Sequence, residues 1–251
     1  MKSNLKIIPI ILAVGIFFTF SMFSNDNLNF NTGNSDENVD KEKIQISAVS
    51  GKIHIDGNSG WVDFKNDGNC TGNGTYSEPY VIEDLVIDGG GSGSCIWIEN
   101  TNVYFKIENC TLYNFGTGIN LRNVTNSLII DNNANANNIG GTGIYLWHSD
   151  NNTITGNIAN NNSAGISLDG SDYNTISGNT ASDNQQGLYL SYSNNNTILG
   201  NYANTNSYGG FGINLWQSNN NTITGNTANN NSHGIGLHGS YYNTVSGNNA
   251  N

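Results

Sequence analysis

From Gly143 onward, apolar and polar positions recur in one fixed order. In the segment opened by Gly143, Ile144 and Leu146 alternate with Tyr145 and Trp147. That period of two predicts a short strand with one buried face. Ser149 to Asn152 reads as a turn, Ile154 is the next apolar anchor, Gly156-Asn157 is a second turn, and Ala159 follows. The order returns at Ile166/Leu168/Ile176/Ala181, Leu188/Leu190/Ile198/Ala203 and Ile213/Leu215/Ile223/Ala228. The opening glycines Gly143, Gly165, Gly187, Gly212 and Gly234 are separated by steps of 22, 22, 25 and 22, and a weaker copy starts at Gly118. A fixed period with short insertions predicts a solenoid, in which each coil buries its core only against its neighbours.

The pattern extends back to Tyr80. There YVIEDLVIDG aligns with FKIENCTLYN at an offset of 25, so that Ile82 answers Ile107, Leu85 answers Cys110 and Ile87 answers Leu112. Residues 80–251 are therefore expected to be the repeats. Residues 45–79 are expected to form capping strands and a loop, with strand-like runs IHI and WVDF between Gly51 and Phe64. A cap is needed because an open end exposes core and unpaired edge.

One position holds Leu85, Cys110, Asn132, Asn157, Asn179, Asn201, Asn226 and Asn248 in successive coils. It begins apolar, so it is expected to point inward and to stack its amides as a ladder. The alternative is an Asn in the left-handed conformation after Gly at a turn.

The run GIxLxxSxxNTIxGNxA resembles the repeat of right-handed parallel β-helix proteins. It is similar in particular to the NosD-like group and to β-helical carbohydrate-binding proteins and sugar hydrolases. The resemblance implies an all-β, single-domain right-handed parallel β-helix and says little about activity.

Composition changes this picture at the ends. Lys2 and Lys6 precede an apolar run from Ile7 to Phe23, interrupted by Pro9, Thr19 and Ser21. Residues 1–23 are expected to be a secretory signal or a membrane anchor, and 24–44 a polar linker. Export to the cell surface, the medium or a periplasm follows, with membrane contact only through that segment. Nine N-x-S/T triplets, among them Asn73, Asn123, Asn151, Asn161 and Asn230, fit an exported chain. The chain stops partway through the coil begun at Gly234, which predicts end-to-end self-association there. Three cysteines, Cys70, Cys95 and Cys110, leave at least one thiol unpaired, and a Cys70–Cys95 bridge stays open.

Charge excludes one class of partner. The net charge is −11 and neither Lys nor Arg follows Arg122, so a nucleic-acid partner is not expected.

The outward strand positions carry the candidate chemistry. Trp97, Tyr145, Trp147, Tyr189, Tyr192 and Trp216 are expected on one exposed, nearly uncharged face. Rings beside amides suit stacking on a polysaccharide or cell-surface glycan; β-propensity explains the same residues without a ligand. Asp150 and Asp172 share one turn position in adjacent coils, with Asp169 nearby. Carboxylates about 5 Å apart fit a retaining polysaccharide hydrolase, a Ca²⁺ site, or two solvated turn residues. Asn194 and Asn219 at the same position in later coils favour the turn. No other cofactor is expected. Lyase chemistry of the pectate type would, by resemblance, want acids around Ca²⁺ and a basic residue; Arg122 is instead expected to pair with Glu99. The NosD resemblance implies a copper-associated accessory role. Its ligands would have to come from His54, His148, His233 and His238, and the last two are expected about 16 Å apart along one strand. The leading expectation is a non-catalytic exported scaffold that binds glycan.

Overall fold

The computed structural model describes residues 49–135, 140–207 and 210–251. The expected signal or anchor segment and the linker lie outside them. No helix among the described residues is long and apolar enough to cross a membrane.

Three parallel sheets run the length of the described chain. The first contains Ile53–Asp56, Ser94–Thr101, Thr117–Val124, Thr142–Trp147, Ala164–Asp169, Gln186–Ser191, Phe211–Trp216 and His233–His238 in spatial order. The second runs from Tyr80–Glu83 to Thr244–Ser246, also with eight strands. The third begins with Val49–Ser50, Val86–Asp88, Thr111–Tyr113 and Asn133–Ala134. It continues as single bridges through Ile158, Thr180, Tyr202, Thr227 and Asn249. Each coil thus contributes one rung to each sheet, a parallel β-helix.

The apolar repeat sets the register. Ile144 lies beside Ile119 and Ile166, and the column continues through Leu188, Ile213 and Ile235. A slip of one residue would turn this whole set outward, which is why the register is firm. The opening glycines are required by close approach. A Cβ on Gly187 would stand 2.4 Å from the Gly212 carbonyl oxygen and 2.9 Å from the Ala203 Cβ.

Corners break the sheet hydrogen bonding, and buried side chains restore it. Each regular coil turns at residues with positive φ, such as His148, Asn151, Gly156 and Asn161. The next residue points inward each time: Ser149, Asn152, Asn157 and Asn162 are all buried. The side-chain oxygens of Ser149, Asn152 and Asn157 accept the backbone N–H of the equivalent residue one coil back, and Asn184 does the same for Asn162. Asn179 shows the pattern. Its Oδ1 accepts from the Asn157 N–H at 2.9 Å and the Asn157 Nδ2 at 3.0 Å, and its Nδ2 donates to the Ile154 carbonyl at 2.9 Å. This column runs from Asn132 to Asn248. The left-handed residue at this corner is the one before the Asn, Asp131 at φ 54° in the first coil and a glycine such as Gly178 at φ 62° in the later ones. Three more columns do the same work: Ser149 to Ser240, Asn152 to Asn243, and Asn162 to Asn231. Their residues read in sequence as ordinary turn formers.

A length change is absorbed at the fourth corner. Asn184 and Gln186 are two positions apart, as are Asn231 and His233, whereas Asn206 and Phe211 are five apart. The longer segment is closed by the Gly210 N–H bonded to the Ser207 carbonyl, and the rungs on both sides keep their register.

The N-terminal end departs from expectation in two ways. Ile53 and Ile55 pair in parallel with Ile96 and Ile98, so the first sheet reaches back before Tyr80. The WVDF run is not a strand but part of helix α1, Gly57–Asn66. Trp61 and Phe64 stand three apart, which puts both on one helical face; a strand would pair Trp61 with Asp63. Trp61 is buried, stacked on Tyr80 at 5.2 Å and packed on Phe105 at 4.8 Å, while Val62 and Asp63 are exposed. The helix covers the end of the core with one aromatic cluster.

All three cysteines are free, so the Cys70–Cys95 bridge is not formed. Burial pushes the thiols of Cys95 and Cys110 up to about 11. The native state then holds these protons when the unfolded chain, near 9.0, has lost them. Stability should therefore fall as pH rises from about 9 to about 11. Urea midpoints measured across that range should fall less steeply in a Cys95→Ala/Cys110→Ala variant than in the wild type.

Replacing Asn179 by Leu would orphan the Asn157 N–H and the Ile154 carbonyl in the core. The expected loss is about 3 kcal/mol or more, from ~1–3 kcal/mol for each buried unpaired group. Asn195→Gly, at an exposed left-handed corner, should stay within about 0.5 kcal/mol of wild type, because Gly adopts that conformation freely. Equal losses in the two unfolding curves would contradict the ladder.

Candidate functional site

Residues that face outward from the first sheet form three columns. The middle column is His54, Trp97, Asn120, Tyr145, Ser167, Tyr189, Asn214 and Gly236. The next is Asp56, Glu99, Arg122, Trp147, Asp169, Ser191, Trp216 and His238. A flanking column includes Ala164, Gln186, Phe211 and His233. Because His54 and Asp56 belong to a strand the repeat pattern did not reach, sequence reasoning missed that they share this face.

The face is divided into three parts by its own contacts. At the N-terminal rungs, His54 stacks on Trp97 with centroids 4.3 Å apart, and its Nε2 lies 2.9 Å from Glu99 Oε1. Glu99 is thus engaged by His54 and not by Arg122, its register neighbour. The Arg122 guanidinium instead lies over the Trp147 ring, 4.5 Å from its centroid. That contact exchanges a water-exposed ion pair for a cation over a π face, the better use of a planar guanidinium.

In the middle rungs, Ser167 separates Tyr145 from Tyr189, and Asp169 and Ser191 separate Trp147 from Trp216. Three rungs at ~4.8 Å set the two tryptophan backbones about 14 Å apart. The aromatics are therefore not one continuous strip. Between the Trp147 and Trp216 rungs, Ser167, Asp169 and Ser191 are polar and Tyr189 alone carries a ring. Burial pushes the Tyr145 phenol upward, Asp169 adds to the shift, and Arg122 opposes it.

At the C-terminal rungs, Phe211 stacks on His233 at 4.5 Å and meets His238 edge-on at 5.4 Å, and His238 lies 5.8 Å from Trp216. Both imidazoles fold toward one phenyl ring and are closer than the extended strand suggested. Trp216 is 45% exposed.

Tyr192 stands apart from the strands. It occupies a left-handed corner, φ 49°, one residue beyond the strand, as do His148 and Gln217 in their coils. It is exposed at the edge of the sheet.

The three acids are not one cluster. Asp150 and Asp172 stack at a corner, where Asp150 Oδ1 accepts the Asp172 N–H at 2.7 Å and Asp172 Oδ1 accepts the Asn194 N–H at 2.5 Å. Asn194 and Asn219 continue the column with the same bond. The two carboxylates thus do what an amide oxygen does elsewhere in that column. Asp169 lies on the strand face instead, in register with Trp147 and Ser191. Among the described residues, no three His, Cys, Asp or Glu side chains converge as a metal site would require.

A family model described as right-handed beta helix region matches residues 94–250, and the chain belongs to that family. A search of curated proteins finds no match. Among solved structures, the chain resembles the periplasmic alginate epimerase AlgG, at 24% identity and a TM-score of 0.55 over 62% of this chain and 37% of that one. It also resembles an alginate lyase from Paenibacillus sp. str. FPU-7, at 14% identity and a TM-score of 0.51 over 80% of this chain and 95% of that one. These likenesses establish the fold. The chain spans well under half of the epimerase.

Removing Arg122 would take away the charge that favours the Tyr145 phenolate. In an Arg122→Gln variant the Tyr145 phenol should titrate at higher pH than in the wild type, read by NMR of ring-labelled tyrosine.

Proposed function

We propose that this protein is an exported scaffold that binds glycan along the outward face of its first sheet, without acting on it chemically. One observation carries the reading: Trp147 and Trp216 stand in the same outward column with Asp169 and Ser191 between them. Such a surface presents ring faces for the apolar side of a sugar and hydroxyl, phenol and carboxylate groups for its edge. A parallel sheet supplies these groups on a rigid backbone, so little order has to be imposed on binding. Two of the solved structures it resembles are an epimerase and a lyase of alginate, a polysaccharide. Export is supported by the Lys2 and Lys6 charges ahead of the apolar run Ile7 to Phe23. The non-catalytic part rests on Asp150 and Asp172, each of which uses one carboxylate oxygen to hold the backbone N–H of the next coil.

A glycan array with the protein should show binding to at least one polysaccharide class, lost in the Trp147→Ala/Trp216→Ala double variant. Release of sugar products from any bound polymer, abolished by Asp169→Asn, would make the protein an enzyme and overturn the scaffold reading.

A further inference from the structure

The outward face carries one buried polar atom with no partner in its C-terminal third. Asn214 is only 6% exposed although it points away from the core. Its Nδ2 donates to the Gln186 Oε1 at 3.2 Å, but its Oδ1 has no hydrogen-bond partner. An unpaired buried acceptor is a standing cost to the fold, and such groups are rare unless they serve something else. Leu in place of Asn would remove the cost, so packing alone does not account for the residue.

What surrounds Asn214 has the character of a sugar subsite. Tyr189 and Gly236 are its register neighbours. The Phe211 ring lies over Gly236, where a Cβ would stand only 2.5 Å from the ring's Cε1. Glycine is thus needed for the ring to lie flat on that rung. Trp216 is adjacent and 45% exposed, more than the half-buried Trp147, one face of which lies under Arg122. The three strands Gln186–Ser191, Phe211–Trp216 and His233–His238 contain no Asp, Glu, Lys or Arg. Neither Lys nor Arg is there to receive a carboxylate or sulfate, and the net charge of −11 repels anionic polymers.

We infer that the centre of recognition is this C-terminal patch, and that it takes a neutral sugar which stacks on Trp216 and donates a hydroxyl to Asn214 Oδ1. The inference rests on the glycan-binding reading above and specifies its ligand. The hydroxyl then satisfies the acceptor that the fold leaves bare.

Calorimetric titration of the full chain with neutral cello-, manno- and xylo-oligosaccharides and with oligoalginate tests this. The wild type should bind a neutral oligosaccharide and prefer it to oligoalginate at low salt. Trp216→Ala and Asn214→Leu should each weaken binding about tenfold or more, while Trp147→Ala changes it less than about threefold. Asn214→Leu should keep or raise the melting temperature, which separates a lost contact from a lost fold. If neutral sugar binds and Asn214→Leu binds as the wild type does, the subsite is wrong and the glycan reading survives. The same holds if Trp147→Ala is as damaging as Trp216→Ala, or if oligoalginate is preferred. If the wild type binds none of the array polysaccharides and none of these probes, both fall.

Discussion

Everything in this fold depends on keeping one coil in register with the next where the strands stop. Along a strand, parallel backbone bonds do this unaided. At a corner the chain turns through a left-handed residue, and the backbone carbonyl of the next coil no longer meets the N–H. Buried Ser and Asn oxygens fill that gap at four corners per coil, as in the columns through Ser171, Asn174, Asn179 and Asn184. A polar group in a core is costly unless fully paired. Here each amide is paired above and below, so polar columns hold an apolar centre of Ile, Leu and Ala.

That arrangement frees the outside. Inward positions barely vary between coils, because each must match the residue above and below it. Outward positions on the first sheet have no such partner and differ widely, from Trp147 to Asp169 to Ser191 to Trp216. The candidate site is therefore a pattern written on a uniform support. Its neighbours along the axis are set by register, and its chemistry is set by which coil carries which side chain.

Most of the architecture could be read from the chain because both periods, two within a strand and about 22 between coils, are carried by large apolar residues. The Asn179 column was legible because Leu85 and Cys110 mark its position as inward in earlier coils. The other three columns carry no such marker, and their Ser and Asn pass for turn residues. Helix α1 was missed because its evidence is one spacing, Trp61 to Phe64, in a segment that interrupts the repeat. At the site, register could be read and contacts could not. Glu99 and Arg122 are neighbours as expected, yet His54 and Trp147 take them instead. The unpaired Asn214 oxygen has no sequence signature at all, since Asn occupies nearly every kind of position in this chain.

The five-residue step from Asn206 to Phe211 has a consequence for how such a protein diversifies. The chain lengthens there without moving any rung, so that corner is a place where new sequence is tolerated. It opens directly onto Phe211 and the patch around Asn214. Variation in loop length and variation in the recognition surface are thereby brought to the same edge. A lineage of such proteins could remodel what it binds by insertion alone and leave the stacked interior untouched.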